Sequence, residues 1–209
     1  PSDLQGDGVR RDALSRAIRP DAEGLPRVMG ILNVTPDSFH ADSRVTGQEA
    51  IERGLAMFED GATWVDVGGE STRPGADAVS VNEECARVIP VIQALKQARP
   101  DGLVSIDTRH APVAQAALEA GADMVNDVSG LRDPAMMDVV LEAGAAVCIM
   151  HMLGTPKTMQ HDIQYNDVVN DVHEALFTTA SELVRRGHPA ELICLDPGIG
   201  FGKEQHHNL

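Results

Sequence analysis

Three stretches of the chain share one arrangement of hydrophobic and polar positions. Each joins the polar end of a helix to a Gly-Ala turn and then to an apolar strand: EDGATWVDV (59–67), EAGADMVND (119–127) and EAGAAVCIM (142–150). Glycine at a helix end permits the left-handed conformation that closes the last turn. The strand that follows is almost continuously apolar, as expected when both of its faces are covered. The repeat therefore predicts a parallel sheet built from βα units.

The same pattern extends along the chain and predicts six strands with helices between them. The predicted strands cover 28–34, 63–67, 103–107, 122–126, 146–150 and 192–196. The predicted helices cover 47–60, 81–98, 134–143 and 166–186, the last of them ending at Gly187. We find no linker and no shift in composition, so we predict one domain over residues 26–209, preceded by an N-terminal extension over residues 1–25.

Residue pairs with the spacing of helix caps mark three of the predicted helix starts. A capping box has Ser or Thr followed three residues later by Glu, and Pro often follows an N-cap directly. Pro90 lies inside the second predicted helix, where we expect it to kink or split the helix. The cap pairs are Thr46 with Glu49, Ser80 with Glu83, and Asp133 with Pro134.

The residues that follow the strands favour a barrel over an open doubly wound sheet. A doubly wound fold usually carries a glycine-rich phosphate turn after its first strand, but ILNVTPDSF (31–39) has no glycine cluster. A ring of polar groups at the carboxyl ends of the strands is typical of a (β/α)8 TIM barrel. We therefore predict an α/β TIM barrel, with the first six βα units in this chain. The polar residues at the strand ends are Asn33, Asp66, Asp107, Asn126 with Asp127, His151, and Asp196.

Composition restricts the class of ligand. Lys and Arg number 17 against 32 Asp and Glu, for a net charge of −15, which disfavours nucleic acid and anionic membranes as partners. Small anions remain candidates, because a few cations can be focused in a cleft. Three cysteines without a CxxC pair indicate a reducing compartment. No apolar run approaches the ~18 residues of a membrane span, and the first residues lack a signal-peptide core. We therefore expect a cytoplasmic protein that binds small molecules.

Asp107 and Asp196 follow apolar strands, where a carboxylate is partly desolvated and needs hydrogen-bond donors. Each could accept backbone N–H groups or cap the next helix, and for one such residue this alternative is equally well supported. Several carboxylates around one rim favour a ligand that presents N–H groups. Together with Asn126, which both donates and accepts, they suit a flat heterocycle with an amidine-like edge, such as a pterin or guanine.

Two loops carry further candidates with structural alternatives. Arg73 in STRPGA (71–76) is either a solvated charge or an anion clamp, and the adjacent Ser71 and Thr72 favour the clamp. PGIGFGK (197–203) is not a Walker loop, and its glycines either let the backbone approach a ligand or simply form a loop. His151 could bind a metal or act as a base, but packing against a neighbouring loop is the favoured interpretation.

Taken together, these segments resemble the dihydropteroate synthases, a family of folate-pathway enzymes. The first two matching segments are specific as a pair, and all of them follow the order of the family over residues 27–209. The segments are MGILNVTPDSF (29–39), DVGGESTRPGA (66–76), SIDT (105–108), NDVSG (126–130), MHMLGTPKTMQ (150–160) and LDPGIGFGK (195–203).

The resemblance implies a transferase that joins a dihydropterin-CH2-diphosphate to p-aminobenzoate and releases diphosphate. It implies pterin hydrogen bonds from Asp107, Asn126 and Asp196, pocket walls from Val128, Met150, Gly200 and Phe201, and Mg2+ and diphosphate placement by Asn33. It implies p-aminobenzoate loops that contain Asp37, Phe39, Thr72, Arg73 and Pro74, and we predict that Asp37, Thr72 and Arg73 are catalytic. We also predict that Asp66 supports the barrel mouth and belongs to the substrate-binding residues. Because diphosphate leaves first, Mg2+ and cations stabilise the leaving group, and no strong base is required.

The sequence departs from the family at two loop positions and at its end. Leu153 stands where Gln is frequent, and His40-Ala41-Asp42 replaces Ser-Asp-Gly. The family's seventh and eighth strands carry a Ser-Arg-Lys and an Arg-x-His element, and its last helices form the homodimer interface. We expect none of these last strands and helices within the 209 residues. If the chain is no longer than this, we expect weak or absent activity, because a six-stranded parallel sheet cannot close. A non-catalytic pterin-binding paralogue and a pterin-dependent methyltransferase remain the alternatives.

Overall fold

The structure is a computed structural model that describes residues 2–35, 43–71, 78–155, 157–160 and 162–209. Within these residues, six strands alternate with helices along the chain. The strands are β1 (Met29–Asn33), β2 (Trp64–Gly68), β3 (Leu103–Asp107), β4 (Met124–Asp127), β5 (Ala146–Met150) and β6 (Ile193–Asp196). The helices are α1 (Ser2–Ala17), α2 (Ser43–Glu59), α3 (Val81–Ala98), α4 (Ala111–Glu119), α5 (Pro134–Ala143) and α6 (Val168–Arg185).

The six strands form one parallel sheet in which spatial order equals chain order, from β1 to β6. A doubly wound sheet reverses its strand order at a switch point, whereas a barrel adds each new strand on the same side. The sequential order therefore confirms the prediction of a TIM-barrel fold with six βα units. None of the described helices is long and apolar enough to cross a membrane.

Alternating residues of each strand face opposite sides of the sheet. The outward side chains, such as Val65, Val67 and Ile106, are fully buried and pack against the helices in the main core. The inward side chains change character along the strands. Those at the amino ends are apolar, and most of those at the carboxyl ends are polar, so the polar groups collect at one rim.

Helix α1 covers the amino-terminal end of the strands, a placement that the sequence pattern did not predict. Leu14 and Ala17 are buried there, and the indole Nε1 of Trp64 donates a hydrogen bond of 3.0 Å to the carbonyl of Ala17. This end of the sheet is therefore closed by packing, opposite to the polar rim. The predicted domain division at residue 26 stays a prediction. The apolar cluster comprises Leu14, Ala17, Trp64, Met124, Ala146 and Leu192.

Most predicted helix ends agree with the structure. Ser80 caps α3 by accepting from the backbone N of Glu83, and Asp133 caps α5 by accepting from the backbone N of Ala135. One predicted cap is wrong: helix α2 begins at Ser43, so Thr46 lies inside it and is not its cap. Helix α3 continues through Pro90 and is not split, and its apolar face packs on the sheet with Val88, Val91, Ile92 and Leu95 fully buried. A kink at Pro90 stays a prediction.

Candidate active site

The carboxyl ends of the first four strands place their inward residues side by side. Strand register pairs Asn33 with Gly68, Gly68 with Asp107, and Asp107 with Asn126. Gly68 supplies no side chain to this row. A Cβ added there would lie 3.3 Å from Oδ2 of Asp107 and 3.5 Å from Oδ1 of Asn33. The two polar groups therefore flank one open position, where a ligand can meet both.

Asn126 is oriented by a buried carboxylate one layer below the rim. Its Nδ2 donates a hydrogen bond of 2.9 Å to Oδ2 of Asp66, which is only 5% exposed. Because the amide nitrogen is committed to Asp66, Oδ1 of Asn126 is the atom left to accept from a ligand. Asp66 thus supports the rim from below, and its direct contact with a ligand stays a prediction.

The rim carries more negative charge than it can solvate. Burial raises the pKa of Asp107 well above its usual value, and the nearby carboxylates Asp66, Glu84, Asp127 and Glu70 raise it further. A cationic or N–H-rich ligand would relieve this repulsion, so the electrostatics of the rim favour such a group.

The carboxylate of Asp66, which lies deeper than Asp107, also has a raised pKa. Burial also raises the pKa of Asp66, although Ser105 and Asn126 oppose the rise. Among the described residues, Oδ1 of Asp66 and Oγ of Ser105 lack a hydrogen bond of standard geometry. An unsatisfied buried acceptor is costly, and such atoms concentrate at binding sites.

One carboxylate oxygen of Asp196 accepts a hydrogen bond from its own loop. Its Oδ1 accepts a hydrogen bond of 2.7 Å from the backbone N of Gly198. This contact is the structural alternative raised by the sequence, and it leaves Oδ2 for a ligand. Since Asp196 pairs in register with Met150 at the end of β5, it belongs to the same rim as Asp107 and Asn126. The structure thus brings the three predicted pterin contacts together, and their role in binding stays a prediction.

An apolar wall stands beside these polar groups. Val128 and Met150 are buried in one cluster with Met152 and Met159, and Phe201 packs against it. Three of the four predicted wall residues therefore meet. The fourth, Gly200, has a positive φ of 83° and lies in the adjoining loop, where its carbonyl accepts from Nε2 of Gln160 at 3.0 Å. A flat ring lying on this wall would present its edge to the carboxylates.

Lys203 joins the loops that follow β5 and β6, a contact that the sequence pattern did not reveal. Its Nζ lies 3.0 Å from Nδ1 of His151 and donates to the carbonyls of Gly198 at 3.0 Å and Phe201 at 3.2 Å. Burial and the neighbouring cations lower the pKa of His151 to about 4, so its ring is neutral at physiological pH. This geometry supports the packing interpretation of His151.

Two glycines of this loop allow close contacts within the protein itself. A Cβ on Gly198 would lie 2.0 Å from the carbonyl oxygen of His151, and one on Gly202 would lie 2.9 Å from Cβ of Leu153. Close approach to a ligand was one interpretation of PGIGFGK (197–203). At these two positions the close neighbour is instead the backbone or side chain of the β5 loop.

A second charged network lies behind the rim and was also missed. Both oxygens of Glu70 bind Arg109, and Oε2 of the fully buried Glu84 lies 2.7 Å from Nδ1 of His110. Asp127 accepts from the backbone N of Ser129 and Leu131. The sequence feature that could have indicated this network is the dipeptide Arg109-His110, which begins two residues after the end of β3. The sequence alone does not show which acidic residues contact it.

Some predicted site residues fall outside the described part of the chain. The predicted metal residue Asn33 is described, exposed, and offers a hard oxygen at the rim. In the described ranges, no cluster of three or more His, Cys, Asp or Glu residues could hold a metal ion. The residues outside the described ranges are Asp37, Phe39, Thr72, Arg73 and Pro74.

The sequential parallel sheet, with polar residues at its carboxyl rim and an apolar cluster beside them, places the chain in the class of (β/α) barrel proteins. The chain belongs to the family of pterin-binding enzymes, whose model matches residues 29–209. It is 44% identical over 184 residues to the dihydropteroate synthase of Escherichia coli K12, covering 88% of this chain and 65% of that enzyme. It is also 48% identical over 183 residues to a probable bifunctional folylpolyglutamate synthase/dihydropteroate synthase of Haloferax volcanii, covering 87% of this chain and 22% of that protein.

Solved structures agree with this assignment. A dihydropteroate synthase of Xanthomonas albilineans with 4-aminobenzoic acid superposes with a TM-score of 0.79 at 44% identity, over 91% of this chain and 65% of that one. A Burkholderia cenocepacia dihydropteroate synthase complexed with 7,8-dihydropteroate gives 0.75 at 47% identity, over 86% and 60%. The chain thus spans less than two thirds of the length of these relatives.

Proposed function

We propose that this chain is the pterin-binding part of a dihydropteroate synthase. The reaction would condense 6-hydroxymethyl-7,8-dihydropterin diphosphate with p-aminobenzoate to give 7,8-dihydropteroate and diphosphate. The observation that supports the proposal is the rim, where Asp107, Asn126 and Asp196 lie at the carboxyl ends of parallel strands and Val128 and Met150 form an apolar cluster. Relatives solved with 4-aminobenzoic acid and with 7,8-dihydropteroate support the two substrates.

The rim residues suit the amino-pyrimidine edge of a pterin. Carboxylates accept from its amino and ring N–H groups, and Oδ1 of Asn126 accepts one more. Burial, and then its carboxylate neighbours, raise the pKa of Asp107, and binding of N–H donors compensates for its disfavoured charge. As diphosphate departs, positive charge develops on the pterin, and these carboxylates stabilise it. The amine of p-aminobenzoate is already nucleophilic, so the reaction needs no strong base.

Mg2+ is proposed as the cofactor that neutralises the diphosphate leaving group. Mg2+ prefers hard oxygen ligands and usually keeps several waters and substrate phosphates. Asn33 fits such a partial role, since its Oδ1 lies at the rim beside the position of Gly68. The part of the chain that is described offers no metal cluster made of protein ligands alone. Asn33 would therefore position metal-bound diphosphate, not hold the ion by itself.

The second substrate is proposed to meet Phe39, Thr72, Arg73 and Pro74, with Asp37 nearby. Sulfonamides are proposed as competitors of p-aminobenzoate, supported by a Yersinia pestis relative solved in a sulfonamide complex, 43% identical to this chain.

The net charge of −15 and three free cysteines support a cytoplasmic location without nucleic-acid or membrane partners. Homodimer formation, which the family resemblance implies, remains to be measured.

Calorimetry with 6-hydroxymethylpterin tests the binding step. Asp107→Asn and Asp196→Asn should each weaken binding roughly 10-fold or more, because a hydrogen bond to a charged group is worth about 1.5–3 kcal/mol. Asp101→Asn is the matched control, since Asp101 is exposed and lies beyond α3 at the other end of β3. Equal affinity in all three variants, or no binding to the parent chain, would refute the pterin site.

Turnover is measured separately, by mass spectrometry of 7,8-dihydropteroate after incubation with the pterin diphosphate, p-aminobenzoate and Mg2+. Product formation supports the synthase. Pterin binding without product, both in this chain and in one extended by the downstream coding sequence, would instead support a non-catalytic pterin-binding protein. Methyl transfer from a methylated pterin would support the methyltransferase alternative.

A further inference from the structure

Two of the three cysteines lie side by side inside the barrel. Cys148 on β5 and Cys194 on β6 are register partners, so their side chains extend from neighbouring parallel strands toward the same face. Both are free thiols and half-buried. The third, Cys85, lies on α3 and packs against the outer core. The reaction proposed above uses none of the three.

The thiol pair lies in the same register row as the rim residue Asn126, above the apolar base. Cys148 pairs in register with Asn126 and also packs against the cluster of Trp64 and Ala146 at the base. Cys194 and burial, and then Asp196 and Asp66, raise the pKa of Cys148. The two thiols therefore lie at the level of Asn126, where we expect a small ligand at the rim to reach both.

The geometry favours a bridging ligand over a disulfide. Neighbouring strands are about 4.7–4.9 Å apart, and register partners on parallel strands have nearly parallel Cα–Cβ bonds. Their Cβ atoms are thus separated by about the strand spacing, whereas a disulfide needs a Cβ···Cβ distance of about 3.5–4.5 Å. An atom that binds both sulfurs through bonds of about 2.3 Å, the length of a metal–thiolate bond, spans the pair without moving the strands.

One thiol of the pair is also prepared to react. The neighbouring Cys148 thiol lowers the pKa of Cys194 to about 7 despite burial and the nearby Asp196. Near neutral pH a substantial fraction of Cys194 is therefore thiolate, which is the nucleophilic and ligating form.

We propose that Cys148 and Cys194 form a dithiol site for thiophilic ligands that take two sulfur atoms, a trivalent arsenical being the probe. Phenylarsine oxide would react with both thiols: two S–H bonds break, two As–S bonds form, and the oxide oxygen leaves as water. Arsenic stays trivalent, so the step needs no oxidant. Across the described residues no third metal-ligating side chain joins the pair, which suits a ligand that needs only two sulfurs. The site does not depend on the proposed synthase activity.

Intact-mass spectrometry after exposure to phenylarsine oxide tests the site. An arsenical held by two thiols survives a wash with 2-mercaptoethanol and is removed by 2,3-dimercaptopropanol, whereas one held by a single thiol is lost in the first wash. The parent chain and the matched control Cys85→Ser should each retain one adduct through the monothiol wash. Cys148→Ser and Cys194→Val should lose it completely.

Two further readouts keep the test decisive if a variant folds poorly. In the unmodified chain, bound phenylarsine oxide should protect Cys148 and Cys194, but not Cys85, from alkylation by iodoacetamide, as read by peptide mapping. The adduct should also raise the thermal midpoint of the parent chain and of Cys85→Ser, because the bridge forms on the folded arrangement. A monothiol-resistant adduct in either single variant of the pair, or its absence from the parent chain, overturns the proposal.

Discussion

Arg109 binds both carboxylate oxygens of Glu70, with Nε 2.8 Å from Oε2 and Nη2 2.9 Å from Oε1. Oε1 of Glu70 also accepts a hydrogen bond of 3.0 Å from the backbone N of Val79. Burial raises the pKa of Glu70, but the donors from Arg109 and Val79 outweigh it and hold the pKa below its usual value. The pair therefore ties the loop after β2 to the end of β3 and to residue 79.

Arg109→Met should destabilise the protein by about 2–4 kcal/mol, because it leaves a buried carboxylate without its cation. Urea unfolding measures the loss. Arg185→Met is the matched control: Arg185 also binds both oxygens of an acid, Glu182, but its side chain is 72% exposed. An exposed pair contributes little, so this variant should leave the urea midpoint nearly unchanged. Equal losses in both variants would show that the Glu70 pair is no more than a surface contact.

Asp107→Asn should stabilise the empty protein at pH 7. The pKa of Asp107 is raised in the folded state, so its contribution to stability is fully present below about pH 4 and is lost as the pH rises through the folded pKa. Asparagine does not ionise, so the variant keeps the stability that Asp107 loses as the pH rises. Urea midpoints at pH 7 and pH 4 measure the effect, which should be present at pH 7 and small at pH 4.

Asp101→Asn serves as the control for this prediction. Asp101 is exposed, and hydrogen bonding from Arg99 lowers its pKa, so neutralising it should bring no gain at pH 7. If Asp107→Asn were no more stable than the parent chain at pH 7, the carboxylate repulsion at the rim would be unimportant for stability.

Leu14→Ala tests the packing of α1 against the amino end of the strands. Leu14 is 2% exposed, and truncating a buried Leu typically costs about 2–5 kcal/mol. Val9→Ala lies on the same helix at 67% exposure and should change stability by less than about 0.5 kcal/mol. Thermal unfolding of both variants distinguishes a structural helix from an appended one. A negligible loss in Leu14→Ala would mean that α1 does not contribute to the folded domain.

Gly198→Ala tests the contact between the loops after β5 and β6. Gly198 has a φ of 66°, and its added Cβ would lie 2.0 Å from the carbonyl oxygen of His151. Gly144 is a matched control with a φ of 58° and nothing within 4 Å of an added Cβ. Gly144→Ala should cost about 1–2 kcal/mol from the left-handed backbone alone, and Gly198→Ala should cost about 1–3 kcal/mol more from the clash. Equal losses would mean that the loops separate easily.

Local sequence patterns predicted most of the strands and helices that the structure contains. Strands β3 and β5 and helices α3 and α5 begin and end at the predicted residues, because apolar periodicity and caps such as Ser80 and Asp133 act within a few residues. Helix α1 was not predicted. It is polar along most of its length, and its two buried residues, Leu14 and Ala17, are recognisable only against the strands that they cover.

The sequence by itself determined the parallel sheet and the set of polar residues that end its strands, because strand alternation and helix ends depend on residues that are close together in the chain. Only the tertiary structure decided which of these groups meet. The contacts of Asn126 with Asp66, Arg109 with Glu70, and Lys203 with His151 join residues 60, 39 and 52 positions apart. Their partners depend on strand order and register, and burial then fixes their charge states. The physical reason is that desolvation and pairing are properties of a packed rim, not of any single segment.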